Sequence, residues 1–180
     1  MSPRYVILDR DGTINLDSDA FIKTADEWQP ISGSLEAIAE FNRHGYKVVI
    51  ITNQSGIGRG LFDLAALDAM HAKMQGMLAS LGGQIEAIYF CPHGPNEGCI
   101  CRKPKPGLFE AFAKQQQLSL DKVYSIGDSY RDIQASIAAG AKPVLVKTGK
   151  GLITLQKHPQ LELPVFENLY DAARHIISKG

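Results

Sequence analysis

Tyr5-Val6-Ile7-Leu8-Asp9-Arg10-Asp11-Gly12-Thr13 is the stretch on which the fold turns. Four consecutive apolar residues predict a short strand buried on both faces. Two carboxylates, two residues apart, follow its end. Like charges at that range repel unless a proton or a cation neutralises them. Oxygen donors with positions left for phosphate oxygen and water suit Mg²⁺. Taken alone, Asp-x-Asp-Gly is as readily a turn with an Asx contact, so the remainder of the chain has to decide.

Working outward, Val48-Val49-Ile50-Ile51 is a second apolar run, ended by Thr52. Further strands are predicted over residues 85–90, over 122–126 before Gly127-Asp128, and over 143–146. Helical spacing falls between them. In residues 34–44, Leu35, Ile38, Ala39 and Phe41 share a face and Gly45 supplies a stop. Asp63 is a candidate cap for a helix through Leu81, with Leu64, Leu67, Met70, His71, Met74, Met77, Leu78 and Leu81 as its buried face. Residues 107–117, 132–139 and 168–178 complete the helices. Strands alternating with helices, most strands continuously apolar, predict an α/β fold. The expected form is a three-layer, Rossmann-like, mainly parallel sheet with helices on both faces and right-handed crossovers. No insertion is long enough for a large cap domain, and residues 1–180 read as one domain. In such sheets ligands bind beyond the carboxyl ends of the strands. Asp9 and Asp11, Thr52 and Asn53, the Cys91 loop and Asp128 are all predicted to reach that edge.

Composition narrows the partners. Lys plus Arg and Asp plus Glu are both 19, so the formal net charge is zero. That gives no support for bulk binding to nucleic acid or membrane, and an anionic substrate must be caught by a few placed groups. No run of 18 apolar residues is present and the N-terminus lacks a signal-peptide layout, so a cytoplasmic protein is expected.

Three cysteines, Cys91, Cys99 and Cys101, lie within eleven residues. An odd, clustered set argues against a disulfide framework and for metal or reactive thiols. Cys91-Pro92-His93, five intervening residues and Cys99-Ile100-Cys101 offer three thiolates and one imidazole, a normal structural zinc set. It would staple a loop, residues 91–106, whose prolines and glycines exclude regular structure. Ordinary loop cysteines are the bland alternative. A thioredoxin-like redox role fits less well, because the spacing is not Cys-x-x-Cys. Arg102 and Lys103 follow at once. Lys103 supplies a point charge for a phosphate oxygen and Thr52 a hydroxyl and a backbone N–H. The glycines of Ser55-Gly56-Ile57-Gly58-Arg59-Gly60 lack the dinucleotide-binding spacing.

Asp-x-Asp-Gly-Thr, a strand-terminal Thr, a Lys before a helix and Gly-Asp-x-x-x-Asp occur in that order. Together they resemble the haloacid dehalogenase superfamily of phosphotransferases. Asp9-Arg10-Asp11-Gly12-Thr13-Ile14-Asn15, Thr52-Asn53-Gln54-Ser55, Cys91-Pro92-His93 and Cys99-Ile100-Cys101-Arg102-Lys103-Pro104 are, in combination, similar to the D-glycero-D-manno-heptose 1,7-bisphosphate 7-phosphatases. The resemblance implies Asp9 as a covalent nucleophile, Asp11 as general acid and base, and Thr52 and Lys103 on the phosphoryl oxygens. It implies catalytic Mg²⁺ on Asp9, the Asp11 carbonyl and Asp128, and structural Zn²⁺ on Cys91, His93, Cys99 and Cys101. Substrate contacts are implied for Asp17, Asp19 and Phe21, for Thr52, Asn53, Gln54 and Ser55, and for Arg102 and Lys103, with Arg59 as a further rim cation. Asp132 could orient Lys103, join the metal shell, or simply favour a helix start. The five-residue zinc link is shorter than in some members of the family, and residues 17–21 do not reproduce a His-Gly-Tyr-like segment of some relatives. The implied substrate is a small phosphorylated sugar used for lipopolysaccharide precursors, and a monomer is expected. Rival readings are a histidinol-phosphate phosphatase, a polynucleotide 3′-phosphatase and a non-catalytic zinc-loop interaction module. His44, His71 and Trp28 carry no catalytic expectation.

Overall fold

The computed structural model describes residues 2–180. Strand β1 (Arg4–Leu8) leads through a long excursion to helix α1 (Ser34–Arg43). There follow β2 (Tyr46–Asn53), α2 (Leu64–Ala79), β3 (Ala87–Cys91), α3 (Gly107–Gln116), β4 (Tyr124–Gly127) and α4 (Tyr130–Ala138). The chain closes with β5 (Lys142–Val146), α5 (Gly151–Lys157), β6 (Val165–Phe166) and α6 (Leu169–Lys179). The six strands make one sheet in the order β3-β2-β1-β4-β5-β6, and each neighbouring pair is parallel.

Side-chain alternation explains why β1 reads as continuously apolar. Val6 and Leu8 point into one core with Val48, Ile50, Met70 and Ile176. Tyr5 and Ile7 point into a second core with Val49, Ile51, Phe109 and Phe112. Successive strand residues face opposite sides, so a strand covered on both sides has no place for a polar residue until it ends. The order reverses between β1 and β4, which is where a doubly wound sheet opens a crevice at its carboxyl edge.

The helices match expectation with three differences. Helix α2 is capped by the Asp63 carboxylate, which accepts from the Ala66 N–H at 2.8 Å. Its buried face is narrower than the spacing suggests: Leu64, Met77 and Leu81 are exposed, while Leu67, Met70, His71, Met74 and Leu78 are buried. Helix α4 starts at Tyr130 rather than Asp132, because Ser129 and Asp132 form a reciprocal capping box. Helix α5 and strand β6 were not expected. Residues 16–29 lie over the α2 side, where Lys73 Nζ donates to the carbonyls of Ala25 and Trp28 at 2.8 and 2.7 Å. Trp28 is fully buried core, as expected. No cap domain occurs among the described residues.

Candidate active site

Asp9 is the first residue past β1, and its N–H donates to the Ile126 carbonyl of β4 at 2.9 Å. That bond fixes it at the point where the strand order reverses. Lys103 arrives from the cysteine loop and is buried. Its Nζ donates to Asp9 Oδ1 at 2.9 Å, to Asp132 Oδ1 at 2.6 Å and to the Ile51 carbonyl at 2.8 Å. All three ammonium protons are therefore satisfied, which a buried lysine needs. Burial pulls Lys103 towards neutrality, but Asp132 and Asp9 overcome it and hold the ammonium well above its ordinary range. Asp132 thus performs two of the roles left open for it, orienting Lys103 and capping α4. Burial pushes its carboxyl up, and the Lys103 and Ser129 contacts outweigh that and hold it below the ordinary value.

Carboxylate atoms of Asp9, Asp128 and Asp132 lie within 4.8 Å of one another. One ammonium against three carboxylates leaves two negative charges, the complement of a divalent cation. The strain shows in the acids. Burial, then Asp132, pushes Asp9 up to about 7. Burial, then Asp9, raises Asp128 well above its usual value. Backbone wraps Asp128 tightly: a Cβ on Gly12 or Gly149, both at positive φ, would sit 2.0 or 2.2 Å from its Oδ2. A hard oxygen-donor set with uncompensated charge fits Mg²⁺. The Asp11 side chain is not in this cluster.

Asp11 is held elsewhere. Arg10, fully buried, donates to Asp11 Oδ1 through Nε at 3.0 Å and Nη2 at 2.7 Å. Asn15 Nδ2 adds a third bond to the same oxygen at 2.9 Å, and Gln54 Nε2 reaches Oδ2 at 3.2 Å. Arg10 Nη1 meets His71 Nε2 at 3.3 Å. Burial, then the Arg10 charge, lowers His71 from its ordinary 6.5 to about 4. Between those values the unfolded chain takes up a proton that the native protein refuses, so stability falls as pH drops from about 6.5 towards 4. Urea unfolding at pH 7.5 and pH 5 checks this. His71→Leu is expected to remove about 2 kcal/mol of the acid-side loss, and an unchanged pH slope would contradict it.

The loop cysteines and His93 converge. Cys91 Sγ lies 3.5 Å from His93 Nδ1, 3.7 Å from Cys99 Sγ and 2.9 Å from Cys101 Sγ, and His93 Nδ1 lies 3.3 Å from Cys101 Sγ. All three thiols are free. Tetrahedral zinc at normal bond lengths wants edges of roughly 3.5–3.8 Å; two of these four spacings fall there and two are shorter, so it is the donor set, three thiols and one imidazole converging on one point, that fits Zn²⁺. The five-residue link is long enough to close the set.

Asp9, Asp11 and Lys103 line a cavity of about 220 Å³, as do all the predicted substrate residues: Asp17, Asp19, Phe21, Thr52, Asn53, Gln54, Ser55, Arg59 and Arg102. Two of these have other work. Asn53 pairs with the Lys103 backbone, donating to its carbonyl at 3.1 Å and accepting from its N–H at 3.0 Å. Gln54 bridges Asp11 and the Thr52 hydroxyl. Phe21 adopts a left-handed φ of 67°, rare for a bulky residue, and the Arg59 guanidinium lies 5.5 Å over its ring. Arg131 and Lys150 also line the cavity and were not expected: Arg131 occupies a variable position of Gly-Asp-x-x-x-Asp, and Lys150 lies in no motif. Lys150 faces Asp17 at 3.7 Å.

A parallel sheet with an Asp-x-Asp pair, a threonine, a buried lysine and a third carboxylate at its switch point defines a hydrolase of the haloacid dehalogenase type, and the HAD-hydrolase-like family model matches residues 100–172. The chain is 52% identical to the D-glycero-beta-D-manno-heptose-1,7-bisphosphate 7-phosphatase of Pseudomonas putida over 97% of its own length and 99% of that relative's. It therefore belongs to the family of those phosphatases. Among solved structures, D,D-heptose 1,7-bisphosphate phosphatase from B. bronchiseptica, complexed with magnesium and phosphate, superposes with a TM-score of 0.96 at 47% identity, covering 98% of this chain and 99% of that one. The corresponding enzyme from Burkholderia thailandensis gives a TM-score of 0.77 at 41% identity, covering 97% and 99%.

Proposed function

We propose that this protein removes the 7-phosphate of D-glycero-D-manno-heptose 1,7-bisphosphate, in a single domain that carries the whole site, on the route to ADP-heptose for lipopolysaccharide. The observation that carries the reading is the buried Asp9 carboxylate, paired with Lys103 at 2.9 Å beside Asp128 and Asp132. In a family of phosphatases, such a carboxylate is a nucleophile. Asp9 attacks phosphorus and becomes an aspartyl-phosphate, while Asp11 protonates the departing sugar oxygen. Asp11, now a carboxylate, takes a proton from water that attacks the same phosphorus and frees Asp9. Lys103 and the Thr52 hydroxyl hold phosphoryl oxygens as charge redistributes. Asp9, the Asp11 carbonyl and Asp128 would hold Mg²⁺, which neutralises charge between the nucleophile and an anionic phosphate. Cys91, His93, Cys99 and Cys101 would hold Zn²⁺ and fix the approach of Lys103.

Specificity falls to the open rim. Arg59 and Arg102 suit a second phosphate, and Asp17 and Asp19 suit sugar hydroxyls. A cationic amino-alcohol phosphate would meet those arginines unfavourably, which disfavours histidinol phosphate. The protein acts in the cytoplasm as a monomer, on a small molecule rather than on nucleic acid or at a membrane. No described helix is long and apolar enough to cross a bilayer. Phosphate release from the two heptose bisphosphate anomers, from histidinol phosphate and from a 3′-phosphorylated oligonucleotide tests the assignment. A kcat/KM for one heptose anomer at least about a hundredfold above the other esters is expected; preference for histidinol phosphate would move the enzyme to another pathway.

A further inference from the structure

His71 is a buried, titratable residue that the chemistry above does not use. It sits on α2, a helix that contributes no catalytic group, yet it contacts the guanidinium that grips Asp11. A guanidinium has donors and no acceptor. The 3.3 Å contact between Arg10 Nη1 and His71 Nε2 therefore requires an unprotonated Nε2, with the ring proton on Nδ1. The other nearby acceptor for Nη1 is the Met70 sulfur at 3.7 Å, a weak one. His71 is thus the stronger of the two acceptors on Nη1, while Nη2 also reaches Gln54 Oε1 at 3.4 Å.

The near end of Arg10 sorts the two oxygens of Asp11. Oδ1 accepts two bonds from Arg10 and one from Asn15, which leaves no room for a proton. Oδ2 has one partner, Gln54 at 3.2 Å, and Asp11 borders the cavity. We propose that His71, acting through Arg10, positions Asp11 so that Oδ2 is the oxygen that gives and takes the proton in catalysis. This rests on the acid–base role assigned to Asp11. As the phosphorus–oxygen bond to the sugar breaks, its electron pair stays on the sugar oxygen, which takes the proton from Oδ2. Asp9 forms the new bond to phosphorus. In the return half, Oδ2 takes a proton from water as the water oxygen bonds phosphorus and the Asp9–phosphorus link breaks, releasing inorganic phosphate. His71 is a positioning residue and touches no reacting atom.

The test separates positioning of an acid from general damage by changing the leaving group. A sugar alkoxide needs the proton, whereas p-nitrophenolate does not. Single-turnover rates are measured with enzyme in excess on heptose bisphosphate and on p-nitrophenyl phosphate, for wild type, His71→Leu and His71→Gln. His71→Leu removes the acceptor for Arg10 Nη1; His71→Gln puts an amide oxygen near the position of Nε2. The expected result for His71→Leu is a loss of about tenfold or more on the sugar phosphate, with p-nitrophenol release within about twofold of wild type, since general acid catalysis is worth 10²–10⁴ in all. His71→Gln should recover most of the loss. Equal losses on both esters, no loss on either, or a glutamine variant as impaired as leucine would overturn the proposal. If wild type ignores heptose bisphosphate but cleaves another alkyl phosphate, the substrate assignment fails, and the leaving-group contrast is read on that ester instead. If wild type cleaves no ester, both readings fall.

Discussion

Asp9→Asn should abolish turnover while leaving the fold intact. The amide is nearly the same shape as the carboxylate, so the bond from Lys103 Nζ, now 2.9 Å, can persist to the amide oxygen. What is lost is the nucleophile. Removing a group that forms the covalent intermediate costs on the order of 10⁴-fold or more in kcat. The native protein buries Asp9 against Asp132 and Asp11 at some cost, visible in a carboxyl pushed up to about 7. Neutralising it relieves that repulsion, so the variant should melt no lower than wild type in metal-free buffer. The loss of rate together with an unchanged or raised melting temperature is the signature of a residue kept for chemistry. An active Asp9→Asn enzyme would exclude the aspartyl-phosphate route.

Breaking the cysteine cluster should cost both stability and rate. The loop from Cys91 to Lys103 has little apolar burial of its own, and Ile100 within it is 79% exposed. Its geometry rests on the four-ligand cluster, on Arg102 Nη1 donating to the His93 carbonyl at 3.3 Å, and on the Asn53 amide. Cys101 lies two residues before Lys103, so an opened cluster frees the lysine that the site needs buried. Cys101→Ser should lose bound zinc and about 3 kcal/mol of stability, roughly a 10 °C lower melting temperature for a chain of this size. Its kcat should fall about a hundredfold, the scale for losing a preorganised charge. Chelation of the wild type should give the same result, reversed by added zinc. A variant without zinc that melts and turns over like wild type would remove the structural role from this loop.

Much of this architecture is legible in the chain because both faces of the sheet are covered. Tyr5 to Leu8 and Val48 to Ile51 must be apolar throughout, and the polar residue that follows each run marks the edge where chemistry collects. The clustered ligand types do the same for the zinc loop. What was missed has physical causes. Helix α5 spans seven residues and has no side-chain cap, and β6 is two half-buried residues. Neither is long enough to show a period. The start of α4 is poorly marked in the sequence because its capping box uses aspartate where glutamate or glutamine is usual. Leu64, Met77 and Leu81 fit the spacing of α2 but fall at its margins, where solvent remains. Side-chain partnerships are further out of reach. Asn53 serves the Lys103 backbone across 50 positions, and Arg10 joins Asp11 to His71, because the fold brings β1, β2 and α2 together. Periodicity describes which way a residue faces, not what waits there.

If Asp9 takes the phosphate from carbon 7 of a heptose bisphosphate, that phosphate alone leaves the sugar. Phosphorus NMR during turnover follows this, because the anomeric phosphate and the C7 phosphate have separate resonances. With Mg²⁺ present, the C7 signal should disappear, inorganic phosphate should rise in equal amount, and the anomeric signal should remain. Loss of the anomeric phosphate first, or an unchanged spectrum from folded, metal-loaded protein, would exclude a 7-phosphatase.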